Sequence, residues 1–314
     1  MRDLTLWGLS AAALFLAALG PLLPQWAAFL VTVALARGLV VLGLLILWRT
    51  GLVSFGQGLY FAIGGYAVGL LGQYVHVRDA FLLLACGVAG SIVTAAALGF
   101  LIARYREIFF AMLTLAFSML LYGVLVKTET LGSTDGFAVV SPSFLGHAPG
   151  AAAANLWIYW LVCVAAYVSA LGIHRYLSSP MGALAVAIRD NEIRVEYLGA
   201  SVKNVVHVKC VLAAALAGAG GAINALAVGH VDPDMAYWTT SGEFVFVTIL
   251  GGTGSIAAPF AGSLVFELLR TYATQYAPYL WQLVVGSILL LLILFVPNGL
   301  WSLVTGGRWR RAIK

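Results

Sequence analysis

Apolar runs close to the roughly 20 residues needed to cross a bilayer recur from one end of this 314-residue chain to the other. They fall at about 4–20, 26–48, 52–72, 80–103, 108–126, 155–176, 208–229, 243–258, 259–275 and 280–297. Backbone in hydrocarbon must bond internally, so runs of this length read as helices. Composition agrees: 62% of residues are hydrophobic and 9% charged, where soluble domains average about 45–50% and 25%. The remaining solvent is lipid. The fold expected is an all-α polytopic membrane protein, one domain over residues 1–314, with about ten transmembrane helices and broken or re-entrant segments. The first run is short, and Ala17-Ala18 before Gly20 also fits a cleaved signal peptide; charge parity favours its retention as a span.

That parity comes from the basic residues. They cluster at Arg49, at Arg104/Arg106, across Arg175 to Lys209, and at Arg308/Arg310/Arg311/Lys314. Even numbers of spans separate these clusters, so all four fall on one side, the cytoplasm, together with both termini. The opposite loops are neutral or acidic: Arg78 with Asp79, then Glu129 and Asp135, then Asp232 and Asp234. The net charge of +5 therefore marks membrane orientation, and no basic face interleaved with aromatics points to nucleic acid. Trp157, Trp160, Trp281, Trp301 and Trp309 read as interfacial anchors. Cys86, Cys163 and Cys210 sit in or beside apolar runs without pairing or metal spacing, and read as small hydrophobes.

Two segments break the apolar regularity. One is Gly51-Leu-Val-Ser54-Phe55-Gly56-Gln57-Gly58, running into Tyr60-Phe61-Ala-Ile-Gly64-Gly65-Tyr66; the other is Leu250-Gly251-Gly252-Thr253-Gly254-Ser255, followed by Pro259. Paired interruptions in opposite halves point to a translocation site, although small residues also serve close helix packing. Gln57 favours function, because a buried amide needs partners.

Residues 177–207 form the most polar stretch. Leu184, Ala187 and Ile188 share one helical face, Ile193, Tyr197 and Leu198 another, with Arg189-Asp190-Asn191-Glu192 between them. This predicts two short helices on the membrane surface, which suit either a partner protein or a solvated connector. No G-x-x-x-x-G-K-[ST] loop exists, since none of the four Lys residues follows a Gly. H-E-x-x-H, C-x-x-C and nucleophile–base pairs are also missing, so the sequence indicates no enzyme, metal site or cofactor. His76, His147, His174, His207 and His230 lie near run ends as polar interfacial residues.

The ordered motifs resemble the permeases of branched-chain amino acid ABC importers, LivM type. The Gly51–Tyr66 stretch is similar to that family's G-L-x-S-L-G-x-x-x-F-x-x-I-G-A-Y, and Phe109-Phe-Ala-Met-Leu-Thr114-Leu-Ala-Phe117 to its Y-F-A-x-x-T-L-A-F. Leu131-Gly-Ser-Thr134-Asp135-Gly136 resembles its T-G-G-S-D-G, without the Thr and the second Gly. Ser179-Pro-Met-Gly182, Arg189-Asp-Asn-Glu192 and Leu198-Gly199 follow its S-x-x-G…I-R-E-N-E…L-G, and Leu250-Gly-Gly-Thr-Gly-Ser and Pro297-Asn298-Gly-Leu close the match. The resemblance implies a bacterial inner-membrane importer of branched-chain or related amino acids; relatives of this type carry urea, amides or aromatic acids. It implies a second related permease (LivH type), two ATPase subunits (LivG and LivF type) and a periplasmic solute-binding protein, in membrane lipid.

Under that resemblance the 177–207 loop becomes the ATPase coupling element, with Gly182, Arg189, Asp190, Asn191, Glu192, Leu198 and Gly199. The broken-helix positions are Gly51, Gly56, Gly58, Gly251, Gly252, Gly254 and Pro259. Candidate substrate-pathway residues, chosen for motif membership and polarity at depth, are Ser54, Gln57, Phe61, Thr114, Phe117 and Ser255. The competing class is an ion-coupled secondary transporter, which would use buried ionisable groups; Arg37, Glu243, Glu267 and Arg270 are its candidates, with Glu267 and Arg270 expected to pair.

Overall fold

A computed structural model describes residues 4–296 and 299–304. Met1, Arg2 and Asp3, Pro297 and Asn298 of the last motif, and Arg308, Trp309, Arg310, Arg311 and Lys314 of the basic tail lie outside the described residues.

Each apolar run holds one long helix: α1 (Leu4–Leu19), α2 (Gln25–Trp48), α3 (Gln57–Tyr74), α4 (Ala80–Ile102), α5 (Glu107–Lys127), α6 (Ala151–Leu177), then, after a polar loop, α9 (Val202–Val228), α10 (Trp238–Gly251), α11 (Ala258–Tyr276) and α12 (Trp281–Phe295). The polar loop itself forms α7 (Pro180–Asp190) and α8 (Glu192–Tyr197), and α13 (Trp301–Val304) closes the described chain. Helix starts follow local capping rules. Asp79 accepts from the Phe81 and Leu82 amides ahead of α4, Ser179 precedes Pro180 at the start of α7, and Asn191 and Ser201 cap α8 and α9.

The helical class is as expected; the span count is not settled by it. Among the described residues five helices, α2, α4, α5, α6 and α9, are long and apolar enough to cross a membrane alone. At 1.5 Å per residue, 16-residue α1 reaches about 24 Å and 14-residue α10 about 21 Å, short of a hydrocarbon core of about 30 Å.

α9 is the axis around which α2, α3 and α4 pack. The reason is in its sequence: Gly218, Gly220 and Gly221 lie where a methyl group would strike, respectively, Ser91, the Ala36 carbonyl and the Phe61 carbonyl. Gly64 of α3 sits equally close to the Gly218 carbonyl. With lipid as apolar as leucine, such close backbone approach supplies the dispersion that holds membrane helices together. α1 docks on α6, where the Tyr159 hydroxyl donates to the Leu16 carbonyl at 2.6 Å and Trp160 Nε1 to that of Ala17 at 3.3 Å. α4 and α5 turn Val93, Phe100, Ile108, Phe109, Met112 and Leu120 outward.

The acidic and basic loops gather at opposite ends. At one end β1 (Phe137–Ala138) pairs antiparallel with β2 (His230–Val231), and Ser143 exchanges backbone bonds with Arg78 and Ala80. At the other end Arg106 pairs with Glu192, and Arg189 lies over Gly51. This separation is what the charge pattern predicts. One residue moves camp: Lys209 belongs to α9, fully buried, with Nζ donating to Thr50 Oγ1 at 2.9 Å, and is not part of the loop cluster.

Candidate translocation and coupling sites

The first break begins one residue after Thr50. Gly51 adopts φ +80, a left-handed conformation that glycine takes without steric cost, and residues 52–56 are irregular, without helix or strand. The helix expected from residue 52 therefore starts at Gln57. Irregular backbone in an apolar interior needs donors and acceptors from elsewhere, and three hydroxyls supply them. Thr114 Oγ1 of α5 accepts from the Phe55 amide at 3.1 Å, Ser54 Oγ from that of Gly56 at 3.2 Å, and Ser241 Oγ of α10 from that of Gly58 at 2.9 Å. Gly56 and Gly58 permit this closeness, since a methyl on Gly58 would stand 2.7 Å from Ser241 Oγ and 3.0 Å from the Met235 carbonyl.

Ser54, Gln57, Gly58, Phe61 and Thr114 are thus brought together. Phe61 packs edge-on to Phe244 with ring centres 5.3 Å apart, and Phe117 lies half-buried on the same core. Gln57 is 1% exposed and its Oε1 has no hydrogen-bond partner. Ser255 stands apart from these residues, in the second break, where its hydroxyl accepts from the Ala257 amide at 3.3 Å ahead of α11. Ser241 was missed in the sequence, where a lone serine in an apolar run carries no signal.

The second break runs from Gly252, at φ +84, to Ala257, and Pro259 occupies the first turn of α11. It joins α10 to α11 where Gly251 meets the Ala258 carbonyl at 2.5 Å from an added methyl, and Leu300 returns to donate to the Leu250 carbonyl at 2.7 Å. Arg49 Nη2 reaches the Thr253 carbonyl at 3.1 Å. Gly251, Gly252 and Gly254 therefore form a tight turn at the basic end, whereas the expectation put this break at membrane depth.

The irregular backbone at depth lies elsewhere. After β2 the chain dips inward: the turn Pro233–Ala236 lies beside Gly58 and Gly65 of α3, and Ser118, midway along α5, donates to the Ala236 carbonyl at 2.8 Å. α10 then starts inside the bundle, so the start of α3 meets the start of α10.

Beside this junction lies an ionic cluster. Arg37, halfway along α2, donates to Glu243 of α10 at 3.0 Å and stands 3.6 Å from Glu267 of α11. Arg270 lies 3.4 Å from Glu243 and stacks over Trp281 at 5.5 Å. The pairing expected within α11 is replaced by pairs between helices: Glu267 meets Arg37 of α2 and Arg270 meets Glu243 of α10. One charge at a bilayer centre costs about 2.5–3.5 kcal/mol on insertion scales, so paired opposite charges are the tolerable arrangement.

At the basic end, the loop helices are anchored from below. Arg106 Nη2 lies 2.8 Å from Glu192 Oε1, Nε donates to both carboxylate oxygens at 3.0 and 2.9 Å, and Gly182, Ala185, Ile188 and Val195 are buried. Leu184, Ala187 and Ile188, expected on one face, are divided: Ile188 is buried, Leu184 half-buried and Ala187 exposed. Ile193, Tyr197 and Leu198 stay uncovered at 65%, 88% and 82% exposure, with Asp190, Asn191 and Gly199 around them. Gly182 has to be glycine, as a methyl there would strike the Tyr176 carbonyl.

A helical bundle with membrane-length spans, a helix that begins at mid-depth and a polar hairpin held at one end is a multi-pass membrane protein of the permease class. Residues 26–294 match the family described as branched-chain amino acid transport system, permease component, and the chain belongs to it. It is similar to the high-affinity branched-chain amino acid transport permease LivM of Escherichia coli, at 26% identity over 83% of this chain and 67% of that protein. It is also similar to LivH of Escherichia coli, at 25% identity over 86% and 92%, and to BraD of Pseudomonas aeruginosa, at 22% over the same shares. No solved structure matches.

Proposed function

We propose that this chain is one permease subunit of an ABC importer that moves branched-chain or related amino acids across a bacterial inner membrane. Residues 1–314 form its transmembrane domain, with the basic end and both termini in the cytoplasm. Energy enters from two separate ATPase subunits of LivG and LivF type, a second permease of LivH type completes the channel, and a periplasmic solute-binding protein delivers the solute.

The observation that carries this reading is the α7–α8 hairpin. Its base is fastened by Arg106–Glu192, its tip presents Ile193, Tyr197 and Leu198 to the outside, and Arg189 bears on Gly51 at the root of the first break. A push on the tip would reach residues 52–56 through that contact and through α5, which carries both Arg106 at its start and Thr114 beside Phe55. Gln57, Phe61 and Phe117, with Ser54 and Thr114 fixing the backbone beside them, form the proposed wall of the solute route; Ser255 sits at its cytoplasmic edge.

The test uses the co-expressed complex. Tyr197→Asp with Leu198→Asp alters only exposed side chains, so the permease should remain folded while the ATPase subunits no longer co-purify and uptake of L-leucine stops. Retained co-purification and uptake would show that force enters elsewhere.

A further inference from the structure

Arg37, Glu243, Glu267 and Arg270 belong to neither break, and three features set them apart. The first is depth: Arg37 and Glu267 lie halfway along α2 and α11, beside an α10 that begins inside the bundle. Solute sites of transporters lie at this level, next to discontinuous helices.

The second is direction. Over residues 32–47 of α2 every residue is buried except Arg37. The side chains of Glu243 and Arg270 are 22% and 31% exposed, and Thr271 next to them is exposed. Ionised groups at this depth almost always face a bundle interior or water, which argues that the face formed by α2, α10 and α11 borders a polar space or a second subunit.

The third is spare bonding capacity. Arg37 Nε and Glu267 Oε2 are buried without hydrogen-bond partners, and Glu243 Oε2 is shared between two arginines at 3.0 and 3.4 Å. The cluster holds both signs in equal number. A lone anion or cation would upset that balance, whereas a ligand carrying both signs preserves it.

We infer that this face lines the solute passage and that the cluster takes the zwitterionic head of an α-amino acid. Arg270, placed over the Trp281 ring, meets the carboxylate, and Glu267 with Glu243 meets the ammonium. This rests on the importer reading above and adds to it the place where the amino-acid head is recognised.

The experiment uses the full complex, with its ATPases and binding protein, in proteoliposomes supplied with L-leucine. Thr271→Cys, placed in a chain carrying Cys86→Ser, Cys163→Ala and Cys210→Ala, should react with a charged, membrane-impermeant thiol reagent, and turnover on leucine should slow that reaction. A thiol inert until the protein is denatured, or one that cross-links to the partner permease in place of reacting, overturns the inference. In monodisperse complex, Arg270→Gln and Glu267→Gln should each lower leucine uptake by roughly tenfold, with Arg270→Lys retaining more than Arg270→Gln. Wild-type uptake by both Gln variants overturns it too. Where those variants fail to assemble, the thiol reaction decides alone. A wild-type complex that imports no leucine would defeat the importer reading instead, while the reactivity at position 271 still reports whether the face is wet.

Discussion

The two breaks in the apolar pattern look alike in sequence and are built in opposite ways. The first is stitched by side chains: Thr114 and Ser54 accept the Phe55 and Gly56 amides of the irregular stretch and Ser241 the Gly58 amide in the first turn of α3, two of the three hydroxyls coming from other helices. The second is held by backbone: glycines in near contact, a returning Leu300 amide, and one long arginine from α2. Hydroxyl bonds are separable one at a time, and each has a neighbour that carries on without it. A glycine turn has no such reserve. The first break is therefore suited to reorganise and the second to stay fixed.

Substitutions can undo that contrast, beginning with the most damaging. Gly251→Leu drives side-chain atoms into the Ala258 carbonyl and Gly262; overpacking of this kind costs about 1–3 kcal/mol or more, and thermal unfolding in detergent should show either a large drop in melting temperature or no folded peak. A wild-type melting curve would mean the turn has slack. Next comes Ser241→Ala, which leaves the Gly58 amide buried and unpaired at a cost of about 1–3 kcal/mol. The same holds for Thr114→Val at the Phe55 amide, and the double variant should lose less than the sum, because both steady one segment. Strict additivity in the melting data would mean that the two hydroxyls act independently.

Arg49→Gln should cost about 1 kcal/mol or less. Its sharper readout is a change in thiol reactivity of Ser255→Cys with no change in that of Ser54→Cys, measured as labelling rates. Ser54→Ala is the mildest, about 0.5 kcal/mol, since Gly56 is only two residues away and the bond is local. A loss equal to that of Ser241→Ala would erase the distinction between local and long-range support.

Much of this was legible in the sequence. Helix positions follow from apolar run length, because a lipid environment leaves few alternatives, and the separation of basic from acidic loops follows from charge parity. The hairpin also came through: Ile193, Tyr197 and Leu198 share an uncovered face as their spacing predicts. The misses are all long-range. Nothing local shows that the amides of Phe55 and Gly58 find hydroxyls on α5 and α10, so the start of α3 was placed five residues early. The inward dip at Pro233 was read as an outer loop, because its aspartates resemble solvent-facing charges. Lys209 was counted with the basic cluster of the loop on its charge, although it lies well inside α9, which begins at Val202. Glu267 and Arg270 invited a pairing within one helix, and only the packed bundle shows Arg37 reaching across.

The glycine contacts along α9 carry a mechanical corollary. Helices packed so closely that a methyl group has no room between them resist sliding lengthwise without first moving apart. α2, α3, α4 and α9 therefore move most easily as one packed unit, and bending falls more readily to connections outside it, such as the short 3-10 turn Pro233–Ala236 that leads into α10.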